Sequence, residues 1–274
     1  MVTRMNHQAD DTSRWILSSG RGNPSPGEVD IWRIRLDTED RSIQHAGDFL
    51  GVDELARVAR FRLECDRKRF FIAHATVRKI LAKYVGCEPI QLVFENSEKG
   101  KPRLHQSLNP LDLRFNLSHS NDVALLVVTA GLSVGIDIEA VNYDLAMEEI
   151  ARAFFSPDEV RSLLTLAKEQ RTEAFFCCWT RKEAYIKAKG DGFFTASGSF
   201  SVSLRPDRPA ALLRVADDAD ELTRWSFYDI KIDRADQATL VVEGRSHKIS
   251  LWAFSDGTGR PIEPTQGVKR RIWD

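Results

Sequence analysis

Two short runs hold the residues best placed to do chemistry: Gly135-Ile136-Asp137-Ile138-Glu139, and the thirteen-residue run CCWTRKEAYIKAK from Cys177 to Lys189. In an extended strand, side chains alternate, so Asp137 and Glu139 share one face while Ile136 and Ile138 take the other. Two carboxylates side by side on a half-buried strand repel each other and stay ionised only when a cation neutralises them. An oxygen-only donor set suits a hard divalent cation. The second run is dominated by Ala, Glu, Lys and Arg and meets no Gly or Pro before Gly190, so it reads as a helix. Glu183 and Lys187 are four apart and lie on one helical face. Taken singly, the first run is an ordinary solvated strand face and the second an ordinary surface ion pair. If the helix packs on the strand, Glu183 becomes a third carboxylate for the same ion and Lys187 reaches a phosphate held there. Magnesium bound by carboxylates and substrate phosphate is the usual arrangement for phosphoryl chemistry.

The elements that must position these groups follow from periodicity. Val29–Leu36 alternates as a half-buried strand, and Asp53–Phe61 and Asp66–Tyr84 read as helices, the second closed by Gly86. Arg67, Lys68, Arg69, Arg78, Lys79 and Lys83 make that second helix locally basic. Strands are predicted at Gln91–Phe94, Arg114–Leu117, Val123–Thr129 and Ser133–Glu139, with turns at Asn96–Gly100 and Ser118–Asn121. Helices follow near Asp144–Ala153, Pro157–Lys168 and Thr172–Lys189. Ser156 before Pro157, with Glu159 in the first turn, marks the start of the middle one. Gly190-Asp191-Gly192 reads as a helix stop, and Phe175, Phe176 and Trp179 read as core. Ser199–Leu204, Trp225–Ile230, Ala238–Val242 and Lys248–Phe254 are the remaining strands, with Ala216–Glu221 a polar loop. Residues 1–28 read as a mobile lead-in and 257–274, with Lys269-Arg270-Arg271, as a tail. The order of strand, helices and strands recurs without a residue-level repeat. It predicts an α+β fold of two similar halves, 29–131 and 132–256, with a cleft between them.

Composition narrows the function classes. The 274 residues include 39 basic and 40 acidic ones, a net charge of −1, which disfavours a general nucleic-acid binder. The four cysteines form no C-x-x-C pair, which argues against zinc and for a reducing compartment. No apolar run approaches the ~20 residues of a membrane span, and the N-terminus lacks the apolar core of a signal peptide. The expectation is a cytoplasmic protein with neither a nucleic acid nor a membrane as partner.

Gly135–Glu139 followed by Trp179-Thr180-Arg181-Lys182-Glu183-Ala184-Tyr185-Ile186-Lys187 resembles the paired signature of the 4′-phosphopantetheinyl transferases of the surfactin-synthetase-activating type. Lys99-Gly100-Lys101-Pro102 resembles that family's G-K-P element. Phe115-Asn116-Leu117-Ser118-His119-Ser120 resembles F-N-[IL]-S-H-S, and Phe154-Phe155-Ser156-Pro157-Asp158-Glu159 resembles F-F-S-x-x-E. Arg60-Phe61 and the basic helix sit in the matching order.

The resemblance implies a monomeric pseudo-dimer fold with the active site in its cleft. It implies transfer of phosphopantetheine from coenzyme A to a serine hydroxyl of an apo carrier protein, releasing adenosine 3′,5′-bisphosphate. The carrier would serve fatty acid, polyketide or nonribosomal peptide synthesis. Asp137, Glu139 and Glu183 would bind magnesium, or manganese, against the pyrophosphate. Lys187 would contact a phosphate and stabilise the leaving group, Lys182 would be a further phosphate contact, and Glu183 would be the base. Ser118 and His119 would meet the 3′-phosphate, with Arg57 and Arg69 as further contacts. Gly100, Lys101 and Pro102 would lie along the adenine. One departure is Glu54, where some relatives place a lysine, which weakens the 3′-phosphate assignment of Arg57. The competing readings are another metal-dependent phosphoryl enzyme, such as a nuclease, and a non-catalytic carrier-binding relative.

Overall fold

A computed structural model describes residues 15–37, 46–190, 197–216, 218, 220–233 and 235–255. In chain order the elements are β1 (Ile16–Ser18), β2 (Glu28–Arg35), α1 (Val52–Val58), α2 (Glu64–Val85), β3 (Phe94–Asn96), β4 (Pro102–Leu104), β5 (Leu113–Ser120), β6 (Val123–Ala130) and β7 (Val134–Ala140). They continue as α3 (Met147–Phe154), α4 (Pro157–Leu164), α5 (Lys168–Lys189), β8 (Phe200–Val202), β9 (Leu212–Val215), α6 (Glu221–Arg224), β10 (Trp225–Ile230), β11 (Asp236–Glu243) and β12 (Lys248–Phe254).

Two sheets carry the fold. The larger has the order β1-β12-β2-β6-β5, the smaller β10-β11-β7, and β3-β4 and β8-β9 are separate hairpins. Val29, Ile31, Leu125 and Val127 of the larger sheet share one apolar core with Val134, Ile136, Ile138, Leu240 and Val242 of the smaller. Alternation sends Trp32, Ile34, Leu126 and Val128 to the opposite face, where they pack on Ile72, Ile80 and Leu81 of α2. Val241 and Trp225 of the smaller sheet likewise face away, into a third core with Ala184, Tyr185 and Ala188 of α5. The layers therefore run α2, five-stranded sheet, three-stranded sheet, α5. This accounts for the uninterrupted apolar run in β6, which is covered on both faces. Both 22-residue helices, α2 and α5, end at a glycine in the left-handed region, Gly86 at φ 73° and Gly190 at φ 72°, where a Cβ would be strained.

Four expectations change. His119 lies inside β5, not in a turn, because that strand runs on to Ser120. Ile16–Ser18, read as part of a lead-in, forms β1 and pairs with β12. β12 lies in the larger sheet, parallel to β2, so 248–254 joins the sheet of the first half although it comes from the end of the chain. The strand read at Gln91–Phe94 is instead a short 3-10 turn over Pro89–Gln91 that precedes β3. Asp191, Gly192 and the basic run Lys269-Arg270-Arg271 fall outside the described residues.

The strand from the chain end is held by a buried carboxylate. Asp30 is fully buried and accepts hydrogen bonds from Trp252 Nε1 at 2.9 Å and Tyr84 Oη at 2.8 Å, and pairs with Arg21.

Candidate active site

The site begins with a missing side chain. Gly135, Asp137 and Glu139 occupy the face of β7 that meets α5. A Cβ on Gly135 would stand 2.2 Å from the Ala184 carbonyl oxygen and 2.4 Å from the Ala188 nitrogen. Only glycine lets the helix backbone rest directly on the strand. That approach brings the Glu183–Lys187 face of α5 over the two carboxylates, and Lys187 Nζ lies 2.6 Å from Asp137 Oδ1.

The third wall is β5, which meets β7 through side chains rather than a backbone ladder. Asn116 Oδ1 accepts from the Ile136 amide at 2.8 Å, and Ser120 Oγ accepts from the Ala140 amide at 2.9 Å. Between them, Ser118 Oγ donates to Asp137 Oδ1 at 2.9 Å and accepts from Lys187 Nζ at 3.0 Å. The alternation N-x-S-x-S in Asn116–Ser120 was the available signal for this seam.

Electrostatics mark the cluster as short of positive charge. Burial raises the Asp137 carboxyl above its ordinary range, even against the pull of Lys187 and Ser118. Burial and then the Asp137 charge push Glu139 up to about 7. Glu183 is raised by the same two causes in the same order. Asp137 Oδ2 is buried and, among the described residues, has no hydrogen-bond partner. Hard oxygen donors, an orphaned carboxylate oxygen and three carboxylates against one lysine fit a divalent cation. Among the described residues, no three His, Cys, Asp or Glu groups already stand as a metal cluster.

A positive locus adjoins it. His119 is lowered below its ordinary value, first by burial and then by the neighbouring charges of Lys187, His74 and Arg69. Such a convergence favours an anion. Arg69 is braced by Asp122 Oδ1, at 3.0 Å from Nε and 2.9 Å from Nη2. Arg57 is exposed on α1, its guanidinium 5.0 Å from the centroid of Phe70, which stacks on His74 at 3.9 Å. Glu54, the departure noted in the sequence, faces inward: it accepts from the Gly51 amide at 2.9 Å and Arg78 Nε at 2.6 Å, and pairs with His74 at 3.1 Å. Its carboxylate builds the α1–α2 corner. Gly100 sits in a turn at φ 87° and Pro102 is exposed at the start of β4.

Three of the expected contact residues have partners within the protein. Lys182 does not reach the site: it is buried, donating to Glu159 Oε2 at 2.8 Å and to the Phe200 carbonyl at 2.9 Å. Glu159 also caps α4 through the Ser156 amide and accepts from Val202, so the pair is structural. The Lys101 ammonium donates to the carbonyls of Val134 and Lys187, each at 2.7 Å. The Ser118 hydroxyl donates to Asp137 and accepts from Lys187. Sequence reasoning missed Arg181, which is fully buried and bonded to Asp229 Oδ2 at 2.6 Å and the Ser203 carbonyl at 2.8 Å. It ties α5 to β10 and to the loop after β8.

A carboxylate–lysine cluster thus stands beside a positive locus, between two sheets and a helix. Comparison with known proteins supplies the family. The profile described as 4′-phosphopantetheinyl transferase superfamily matches residues 133–244, and that described as 4′-phosphopantetheinyl transferase, N-terminal, matches 37–131. The 4′-phosphopantetheinyl transferase HetI of a Nostoc species is 36% identical over 227 residues, 83% of this chain and 92% of that one. The transferase psf-1 of Bacillus pumilus is 35% identical, covering 66% and 78% of the two chains, and Sfp of Bacillus subtilis is 30% identical, covering 58% and 68%. The chain belongs to the 4′-phosphopantetheinyl transferases, of the Sfp type, and is an enzyme of that family. Among the described residues no helix is long and apolar enough to cross a membrane.

Proposed function

We propose that this chain moves 4′-phosphopantetheine from coenzyme A to a serine hydroxyl of an apo carrier protein, with a divalent cation, releasing adenosine 3′,5′-bisphosphate. The observation that carries the proposal is the Asp137–Ser118–Lys187 knot, with Asp137 Oδ2 left unpaired beside Glu139 and Glu183. Asp137, Glu139 and Glu183 would hold magnesium or manganese, which when bound supplies neutralisation of the pyrophosphate charge. Lys187, whose side chain is 28% exposed, offers an ammonium to the phosphate and steadies the charge on the departing bisphosphate. Glu183, raised by burial, is suited to take the proton from the carrier hydroxyl. The new bond joins the serine oxygen to the β-phosphorus. The bond that breaks links that phosphorus to the bridging oxygen, whose electrons leave with the nucleotide. His119, Arg69 and Arg57 supply the positive locus for the 3′-phosphate, and Gly100 and Pro102 would border the adenine. Two similar halves, with the cleft between them, are supported by the matched helices α2 and α5 on the outer faces of the two sheets.

Chromatography of the reaction tests the stoichiometry. One adenosine 3′,5′-bisphosphate should appear for each carrier modified, and none when the cation is chelated. Carrier modification without that product would sink the proposed chemistry.

A further inference from the structure

Lys101 is half-buried, and among the described residues its ammonium meets main-chain carbonyls rather than an acidic side chain. The turn that presents it is tightly closed: the Ser97 amide donates to the Lys101 carbonyl at 2.8 Å, the Lys101 amide donates to Ser97 Oγ at 3.0 Å, and the Gly100 amide donates to the Ser97 carbonyl at 2.9 Å. From this turn the side chain crosses to two main-chain acceptors on different elements. One is the Val134 carbonyl, at the start of the strand that carries Asp137 and Glu139. The other is the carbonyl of Lys187, the residue whose own ammonium meets Asp137. The Lys187 carbonyl belongs to the last turn of α5, where it also accepts from the Gly190 amide at 3.2 Å and where the helix end is negative. A cation there adds a second donor to that carbonyl and opposes the dipole.

We infer that Lys101 is a positioning residue for the transfer reaction: by clamping the backbone of Lys187 to the start of β7, it fixes the distance between the Lys187 ammonium and the carboxylate cluster. The inference rests on the transferase reading and deepens it. It differs from a nucleotide-contact role in what it predicts. A residue that touches coenzyme A sets its affinity, whereas a residue that acts through Lys187 sets the rate after binding.

The test uses full-length protein, an apo acyl carrier protein, coenzyme A and magnesium. Carrier loading is followed by intact mass, and coenzyme A affinity is measured separately by calorimetry. For Lys101→Met, kcat should fall about 10- to 100-fold, the scale of an ångström-level misplacement of a catalytic group. Coenzyme A affinity should stay within about twofold of wild type, since uniform binding is untouched. If that variant melts below the assay temperature, Lys101→Gln, slightly shorter and still a donor, takes the same two measurements with the same expectation. An affinity loss as large as the loss in kcat would assign Lys101 to the nucleotide and overturn the inference, and an unchanged kcat would overturn it as well. A wild-type protein that leaves the carrier unmodified would refute the transferase reading on which it rests.

Discussion

Lys187 Nζ stands 2.6 Å from Asp137 Oδ1, and Ser118 Oγ is hydrogen-bonded to both. The pair joins α5 to β7, and the serine joins both to β5. Three elements thus converge on one carboxylate that is 3% exposed, and among the described residues only one of its oxygens has a hydrogen-bond partner. The arrangement holds Lys187 beside the carboxylates while leaving a buried oxygen available for a further positive charge.

Asp137→Asn should remove that charge without removing the shape. Carrier-loading kcat should drop on the order of 100-fold, the scale seen when one preorganised electrostatic group is lost. The protein should still unfold cooperatively. Steady-state loading with a melting curve checks both, and near wild-type turnover in a folded variant would show the carboxylate assignment to be wrong.

The cation should act on stability in a pH-dependent way. Glu139 titrates near 7 in the folded protein against an ordinary value of 4.5. The folded state therefore binds the extra proton between those values, and its stability falls as pH rises through that window. Above it Glu139 is ionised, and a divalent cation restores what was lost. Magnesium should raise Tm more at pH 7.5 than at pH 5, and Glu139→Gln should shrink the difference. Equal shifts at the two values would contradict the account.

Gly135→Ala should be costly for its size. The added methyl meets backbone atoms of Ala184 and Ala188 that cannot move alone, so α5 must lift off β7. A loss of roughly 1–3 kcal/mol is expected from overpacking, with loading activity falling further than stability because Lys187 moves with the helix. Denaturant unfolding beside a loading assay measures both.

Lys182→Met should behave in the opposite way. Its ammonium is buried against Glu159, and breaking such a pair from one side costs about 3–5 kcal/mol. Thermal stability should drop sharply, while the folded protein keeps its coenzyme A affinity in calorimetry. A stable variant with weakened affinity would return Lys182 to the phosphate site.

Local rules made part of this site legible and left the rest hidden. Alternation in Ile136–Glu139 placed Asp137 and Glu139 on one face, and helical spacing paired Glu183 with Lys187. Ser156 with Glu159 announced the start of α4, and Gly86 and Gly190 the ends of α2 and α5. Those signals depend on neighbours in sequence. Lys182 and Lys187 could not be told apart, because they lie roughly 140° apart around a helix and only packing decides which side meets β7. Ser118 and Ser120 looked like a polar turn, and Asn116 like an ordinary strand residue, because their partners are amides and a carboxylate on another strand. The place of β12 beside β2 depends on pairing across most of the chain, which no local pattern encodes. Lys101 was assigned to nucleotide by resemblance, and its two carbonyl partners come from elements far away in sequence.

The central claim is tested most directly by the intact mass of apo carrier proteins, acyl and peptidyl, after incubation with this protein, coenzyme A and magnesium. One phosphopantetheine should be gained on a single serine, with the gain abolished by chelation and slowed on the order of 100-fold by Asp137→Asn. Carriers that keep their apo mass across the panel, under conditions where the protein is folded and coenzyme A is bound, would contradict that claim.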